Sequence, residues 1–194
     1  MSGTGFFLDL HRCVGCGSCV LACRIENGRS DQQAWRRVLP LNLRRHPGGP
    51  TYFLSVACHH CDEPACLRGC PSGAYEKRAD GIVLHREDRC LGCRYCEMTC
   101  PFGAPRFDGE RGIISKCHLC ADRLDRGLLP ACVAACPTEA LQCRGARDAA
   151  SADARASVPG LADPAGCGPN IRFAAPKGAM RAALFKTLEE LVRR

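Results

Sequence analysis

Four groups of cysteines have types and spacings that could do metal chemistry: Cys13-x2-Cys16-x2-Cys19-x3-Cys23, Cys58-x2-Cys61-x4-Cys66-x3-Cys70, Cys90-x2-Cys93-x2-Cys96-x3-Cys100 and Cys117-x2-Cys120-x11-Cys132-x3-Cys136. They take sixteen of the eighteen cysteines in a chain of 194 residues. Structural zinc takes four ligands, usually from two separated pairs, and has no use for three crowded thiolates with a fourth just beyond. A cuboidal 4Fe-4S cluster does: three thiolates in one tight loop cap three iron corners, and the fourth, on the short helix that follows, ligates the other cluster of a pair. Proline follows the last cysteine in three groups (Pro71, Pro101, Pro137), and Arg24 takes that place after Cys23.

The groups also form a repeat. The second and fourth are variants of the first and third with one gap lengthened, so the chain reads as two duplicated two-cluster ferredoxin units. Spacing alone leaves the pairing of groups open, but sixteen thiolates make four clusters in any pairing. Cys143 and Cys167 are left over and are expected to be small buried hydrophobes. A disulfide framework is disfavoured, because the residues ahead of Cys13 carry no basic n-region, no apolar h-region and no twin arginine. On that reading the chain has no export address of its own. It is expected in the cytoplasm or peripheral on a membrane through partner subunits, or exported already folded with a partner bearing a twin-arginine signal.

The elements that must position these cysteines are short. Gly5 to Leu10 reads as a strand entering the first loop, and Gly17 to Asn27 as a helix stopped by Gly28. Pro64 and Pro130 open short helices carrying Cys66 to Cys70 and Cys132 to Cys136. Ala74 to Lys77 and Ile82 to His85 flank the hairpin pair Asp80-Gly81, while Ile113 to Ser115 and Ala140 to Gln142 read as matching strands of an outer unit. Trp35 to Leu43 and Thr51 to Ala57 read as a hairpin around Pro47-Gly48-Gly49-Pro50, with Pro40 confining the first arm to an edge. Residues 144–170 read as a loop or linker with little ability to bury surface. From Pro176, the apolar residues Met180, Leu184, Leu188, Leu191 and Val192 fall at helical spacing, with Arg193 and Arg194 at the end that suits a cation.

Composition agrees with a fold whose core is partly metal. Without the cysteines, the apolar share drops from 46% to about 37%, and 6% of residues are aromatic. No apolar run approaches the length of a membrane span. The formal charge of +7 alone would suggest an anionic partner, but sixteen thiolates and four cluster cores would bring it to about −1. No aromatic residues are interleaved in a basic stripe, so nucleic acid is not an expected partner.

Over residues 5–143 the sequence resembles the iron-sulfur subunit of the molybdopterin (dimethyl sulfoxide reductase) superfamily, as found in dimethyl sulfoxide, polysulfide and tetrathionate reductases and formate dehydrogenases. The resemblance rests on Val14-Gly15-Cys16-Gly17-Ser18-Cys19, Ala57-Cys58-His59-His60-Cys61-Asp62-Glu63-Pro64-Ala65-Cys66, Asp80-Gly81-Ile82-Val83, Cys90-Leu91-Gly92-Cys93-Arg94-Tyr95-Cys96, Cys100-Pro101-Phe102-Gly103-Ala104-Pro105 and Lys116-Cys117-His118-Leu119-Cys120. It implies an α+β fold of two nested dicluster ferredoxin-like units: an outer one of residues 3–51 and 112–143, an inner one of 52–111, and a C-terminal linker and amphipathic helix over 144–194. It further implies the ligand sets. Cys13, Cys16, Cys19 and Cys136 would hold one cluster, and Cys23, Cys117, Cys120 and Cys132 its neighbour. Cys58, Cys61, Cys66 and Cys100 would hold a third, and Cys90, Cys93, Cys96 and Cys70 the fourth. Relatives among nitrate reductases carry tryptophan at the second position of the third group and a three-iron cluster there; Cys93 at that position implies four 4Fe-4S clusters and no 3Fe-4S cluster.

The resemblance makes the chain a non-catalytic relay of single electrons between a quinone-reactive membrane anchor and a molybdenum or tungsten pterin catalytic subunit. The first-group cluster would face the catalytic subunit and the third-group cluster the membrane. Two other readings remain at this level, a free-standing soluble polyferredoxin and a substrate-converting enzyme. The sequence has no dinucleotide or ATP-binding glycine motif, and every cluster would have four thiolates and no open iron corner. His59 and His60 are expected to tune a cluster through hydrogen bonds or to pack, Arg94, Lys116 and Arg123 to compensate charge, and Tyr95 to pack around a cluster.

Overall fold

The computed structural model describes residues 3–30, 33–40, 52–145, 154–155, 158 and 166–174, and its architecture is α+β. In chain order the first half holds β1 (Thr4–Asp9), α1 (Ser18–Glu26), β2 (Arg37–Pro40), β3 (Phe53–Val56), α2 (Ala65–Arg68), β4 (Tyr75–Lys77) and β5 (Val83–His85). A 3-10 turn (Glu87–Arg89) leads to α3 (Tyr95–Thr99), β6 (Arg106–Asp108), β7 (Ile113–Ser115), α4 (Ala121–Asp125), α5 (Ala131–Ala134), β8 (Leu141–Gly145), β9 (Ala154–Arg155) and β10 (Ile171–Ala174).

Among the described residues the strands form one four-stranded sheet, in the order β8-β1-β10-β9, and three two-stranded antiparallel pairs. Strand β1 alternates as its sequence dictates, with Phe6 and Leu8 buried and Phe7 and Asp9 less so. It pairs antiparallel with β8, placing Phe6 opposite Cys143 and Leu8 opposite Leu141. On its other edge it pairs parallel with β10, placing Phe6 opposite Ile171 and Leu8 opposite Phe173. Leu8, Ile171 and Phe173 are fully buried and form the aliphatic and aromatic centre on which the cysteine-bearing loops lie.

Most local expectations match. Helix α1 begins after Gly17 and ends at Asn27, whose side-chain amide donates to the carbonyl of Cys23 at 2.7 Å before Gly28 turns into the left-handed region. The arms of β4–β5 close around Asp80-Gly81, with Gly81 at φ +88° and the Asp80 carboxylate accepting from the N–H of Ile82 at 3.1 Å. Strands β2 and β3 pair antiparallel. Their Pro47-Gly48-Gly49-Pro50 turn lies outside the described residues, as does the helix expected from Pro176.

Two expectations fail. Ile113–Ser115 does not partner Ala140–Gln142; β7 pairs with β6, so this hairpin spans the expected unit boundary at residues 111 and 112. Its turn is local and held by the Asp108 carboxylate, which accepts from the N–H groups of Glu110 and Arg111 at 3.2 Å. A short loop of this kind closes at lower entropic cost than a distant pairing. The supposed linker is also structural: Val158, Cys167 and Asn170 are buried, and β10 enters the central sheet. Averaging over a polar stretch hides the alternating run Ile171-Arg172-Phe173-Ala174.

The segment before β10 clamps the second cysteine loop. The amide of Asp62 donates to Gly168 (2.7 Å), that of Glu63 to Cys167 (3.0 Å) and that of Asn170 to His59 (2.9 Å), while the Asn170 side chain reaches the carbonyl of His60 at 2.7 Å. A close backbone approach makes this possible, because a β-carbon on Gly5 would overlap the carbonyl oxygen of Asn170. Gly5→Ala is therefore expected to cost about 1–3 kcal/mol, and hydrogen-deuterium exchange should speed up selectively over Ile171–Ala174.

Candidate iron-sulfur sites

Each cysteine group begins with the same backbone device. The residue before the second cysteine takes a left-handed conformation in all four: Gly15 at φ +71°, His60 at +46°, Gly92 at +67° and Leu119 at +59°. This turns the loop back on itself and aims its amides at sulfur. The N–H of Leu119 donates to Cys117 Sγ at 3.4 Å and that of Gly92 to Cys90 Sγ at 3.5 Å, and the N–H of Gly15 serves Cys13 in the same way. Glycine adopts this conformation freely, whereas a left-handed side chain costs about 1–2 kcal/mol. His60 and Leu119 accept that strain because both are fully buried.

Helix packing then brings groups together. Helix α1, carrying Cys19 and Cys23, packs against α5, carrying Cys132, and α2, carrying Cys66, packs against α3, carrying Cys96. Thiols from different groups come close enough to feel one another's charge. Burial raises the Cys13 thiol above its ordinary value, and the negative charges of Cys19, Cys136 and Cys16 push it further. Burial lifts Cys23 to about 11, with Cys132 and Cys120 adding to the effect; Cys117 is pushed well up by burial and then by Cys23. Cys66 rises to about 12 through burial and the proximity of Cys58 and Cys100, and Cys61 feels Cys58, Cys100 and Cys66. Burial raises Cys96, whose charged neighbours are Cys70, Cys90 and Cys93.

Two of these sets line enclosed cavities. Cys58, Cys61, Cys66 and Cys100 surround one with His59 and Lys116, and Cys13, Cys16, Cys19 and Cys136 surround another with Ser55. Among the described residues, no three His, Cys, Asp or Glu side chains converge closely enough to hold one metal ion. Thiols ringed around a space suit a multi-iron group, in which each thiolate binds a different iron. The donor sets therefore fit 4Fe-4S clusters. Cys167 is buried at the first cavity beside Cys61 and Cys100, a fifth thiol there, whereas Cys143 is half-buried and lifted to about 11 by burial and by Cys132.

Charged and polar groups stand among the thiols. His60 accepts from the N–H of Val83 at its Nδ1 (3.1 Å), so the neutral ring carries its proton on Nε2, which lies 3.9 Å from Cys117 Sγ and donates to it. Burial, together with the charge of Lys116, holds this ring neutral. His59 packs at a tilt against Phe102 with ring centroids 4.2 Å apart, and burial drops its pKa to about 3. Lys116 is buried as expected of a charge compensator, with its ammonium donating to the carbonyls of Val83 and Cys117. Arg123 pairs with Glu26 at 3.2 Å and counters the Cys120 charge, and Arg94 pairs with Glu97 at 2.8 Å and covers the Phe107 ring. Tyr95 does not bury itself around a cluster; it is exposed, with its ring edge against Gly69.

Sequence reasoning missed Arg36. It is buried among the thiols of the outer groups, while the adjacent Arg37 remains half-buried. Residue type cannot separate these neighbours, since only the face each presents distinguishes them. Only Cys16 and Cys93 of the cysteines are exposed, and they belong to different sets. Exposed apolar side chains flank both, Val14 and Leu21 at Cys16, and Leu91 and Met98 at Cys93.

The model of a 4Fe-4S dicluster domain matches residues 50–146. The probable anaerobic dimethyl sulfoxide reductase protein YnfG of Escherichia coli is 44% identical over 146 residues, covering 71% of each sequence. A component of the anaerobic dimethyl sulfoxide reductase of the same organism is 43% identical over 145 residues, again 71% of each. A component of the tetrathionate reductase of Salmonella typhimurium is 41% identical over 132 residues, covering 66% of this sequence and 52% of the relative. These relatives are parts of reductases, which favours a relay subunit over a free-standing ferredoxin. With its repeated thiol loops and these relatives, the protein belongs to the family of iron-sulfur electron-transfer subunits of the molybdopterin (dimethyl sulfoxide reductase) superfamily.

Proposed function

We propose that the chain is a non-catalytic wire of four 4Fe-4S clusters, linking a quinone-reactive membrane anchor to a molybdenum or tungsten pterin catalytic subunit. The observation that carries this reading is the convergence of thiols from distant groups, Cys58, Cys61, Cys66 and Cys100 around one cavity and Cys13, Cys16, Cys19 and Cys136 around another. Clusters so held supply one-electron oxidation and reduction, with potentials set by charge, hydrogen bonds and exposure.

Cys13, Cys16, Cys19 and Cys136 would hold the first cluster and Cys23, Cys117, Cys120 and Cys132 the second, within an outer unit. Cys58, Cys61, Cys66 and Cys100 would hold the third and Cys90, Cys93, Cys96 and Cys70 the fourth, within an inner unit. Packing of α1 on α5 and of α2 on α3 supports this nested arrangement. The face around Cys16 would meet the catalytic subunit. It includes an open groove lined by Leu21, Arg24, Arg37 and Phe53. The face around Cys93 would meet the anchor, with Leu91 and Met98 as its apolar contacts. Among the described residues no helix is long and apolar enough to cross a membrane, and the chain would be held there through its partners.

Anaerobic purification through a tag on this chain should recover stoichiometric molybdenum or tungsten with at least about sixteen irons. Iron in that amount with neither metal would point to a free carrier. Replacing Cys93 by serine should first slow electron exchange with the quinone pool and leave exchange at the catalytic subunit near its normal rate; Cys16→Ser should do the reverse. Stopped-flow oxidation by quinone analogues, measured beside turnover with an artificial donor, separates the two ends, and loss only at the wrong end would reverse the orientation.

A further inference from the structure

Arg36 is 1% exposed, yet among the described residues it forms no ion pair with a carboxylate. Its Nη1 donates to Ser55 Oγ at 3.0 Å, and Ser55 Oγ lies 3.4 Å from Cys19 Sγ, so the hydroxyl passes the contact on to a thiol of the first group. The guanidinium carbon sits 4.3 Å from the centre of the Phe6 ring, which covers one face of the cation. Its Nε and Nη2 have no hydrogen-bond partner among the described residues. Two orphaned donors on a buried cation are costly unless an acceptor lies between the walls that surround them. The anionic groups around this one are sulfurs. Burial works against the charge, but the thiolates of Cys132, Cys117, Cys19 and Cys23 outweigh it and hold the guanidinium protonated.

We propose that Arg36 is a fixed internal cation shared by the first and second thiol sets, donating through Nε and Nη2 to cluster sulfur and raising the reduction potentials of the two outer-unit clusters. The inference rests on the four-cluster reading above and adds to it a residue that decides where an electron comes to rest. A positive charge stabilises the reduced, more negative state, so the sign is upward. The facing thiolates come from both sets, Cys19 from the first and Cys132, Cys117 and Cys23 from the second, so both clusters are raised. Phe6 and the sheet behind it fix the cation sterically, and water cannot screen it at this burial.

The test is a potentiometric titration of the intact complex, followed by electron paramagnetic resonance, for the unmodified protein, Arg36→Gln and Arg36→Lys. Arg36→Gln should shift the midpoints of two of the four clusters downward and leave the remaining two in place. Arg36→Lys, which keeps the charge, should stay close to the unmodified protein. Unmoved midpoints in an iron-loaded Arg36→Gln variant, or an equal shift in all four, would overturn the proposal. If that variant fails to load iron, pulsed spectroscopy of the unmodified complex from cells grown on 15N-arginine decides the matter. Coupling of a reduced cluster to guanidinium nitrogen, lost in Arg36→Lys, supports the role, and no coupling overturns it. Iron content is read on the same unmodified sample. An error in the four-cluster assignment thus appears as a wrong iron count, and an error in the role of Arg36 as unmoved potentials.

Discussion

Thiolate charge buried in a small protein is the constraint on which the rest of this structure depends. Most of the sixteen grouped thiols are wholly or partly withdrawn from water, and where they are buried deepest burial opposes their ionisation, lifting Cys23 and Cys100 to about 11 and Cys66 to about 12. Iron binds the thiolate and displaces the proton, so the same burial that disfavours the empty charged site makes metal the natural counter-charge. Backbone geometry lowers the remaining cost. Left-handed residues at four equivalent positions turn the loops, and in three of them an N–H points at the preceding sulfur. Buried side chains add Arg36 and Lys116 as cations and His60 as a neutral donor.

This arrangement explains a core that is aliphatic at one level and sulfur-bearing at the next. Leu8, Ile171 and Phe173 form a conventional sheet interior, and cysteines such as Cys19, Cys23, Cys117 and Cys132 continue the same buried cluster outward. Short helices of four or five residues have little stability of their own, so packing and metal must hold them in place. The strand Ile171–Ala174 and the segment before it matter for the same reason, because they fasten the second cysteine loop to the sheet. Cys167 comes to its cavity on that segment.

A relay also needs ends. Most thiols are withdrawn from solvent, while Cys16 and Cys93 reach the surface among exposed apolar side chains. Under the proposed assignment these are the two points where electrons enter and leave. Arg36 lies between the first two thiol sets and not at either surface, so its charge bears on the energy of the interior steps.

Much of the site was legible in the sequence because metal-binding loops are local. Cysteine spacing within each group names the ligand types, and the Asp80-Gly81 and Gly28 signals place a turn and a helix end from a few adjacent residues. Other features required the folded chain, since they depend on which distant segments meet. The partnership of Ile113–Ser115 with Arg106–Asp108 followed from the low cost of closing a short loop, which spacing between motifs does not reveal. Ile171–Ala174 was not singled out in the sequence, and its place beside β1 depends on Gly5 leaving room for the backbone of Asn170. Residue types and their local spacing were enough for the thiol chemistry, the local turns and the family. Tertiary structure alone decided which thiols become neighbours, which two reach solvent, and that Arg36 rather than Arg37 faces the sulfurs, because burial and electrostatic proximity are properties of the packed chain and not of its residue types.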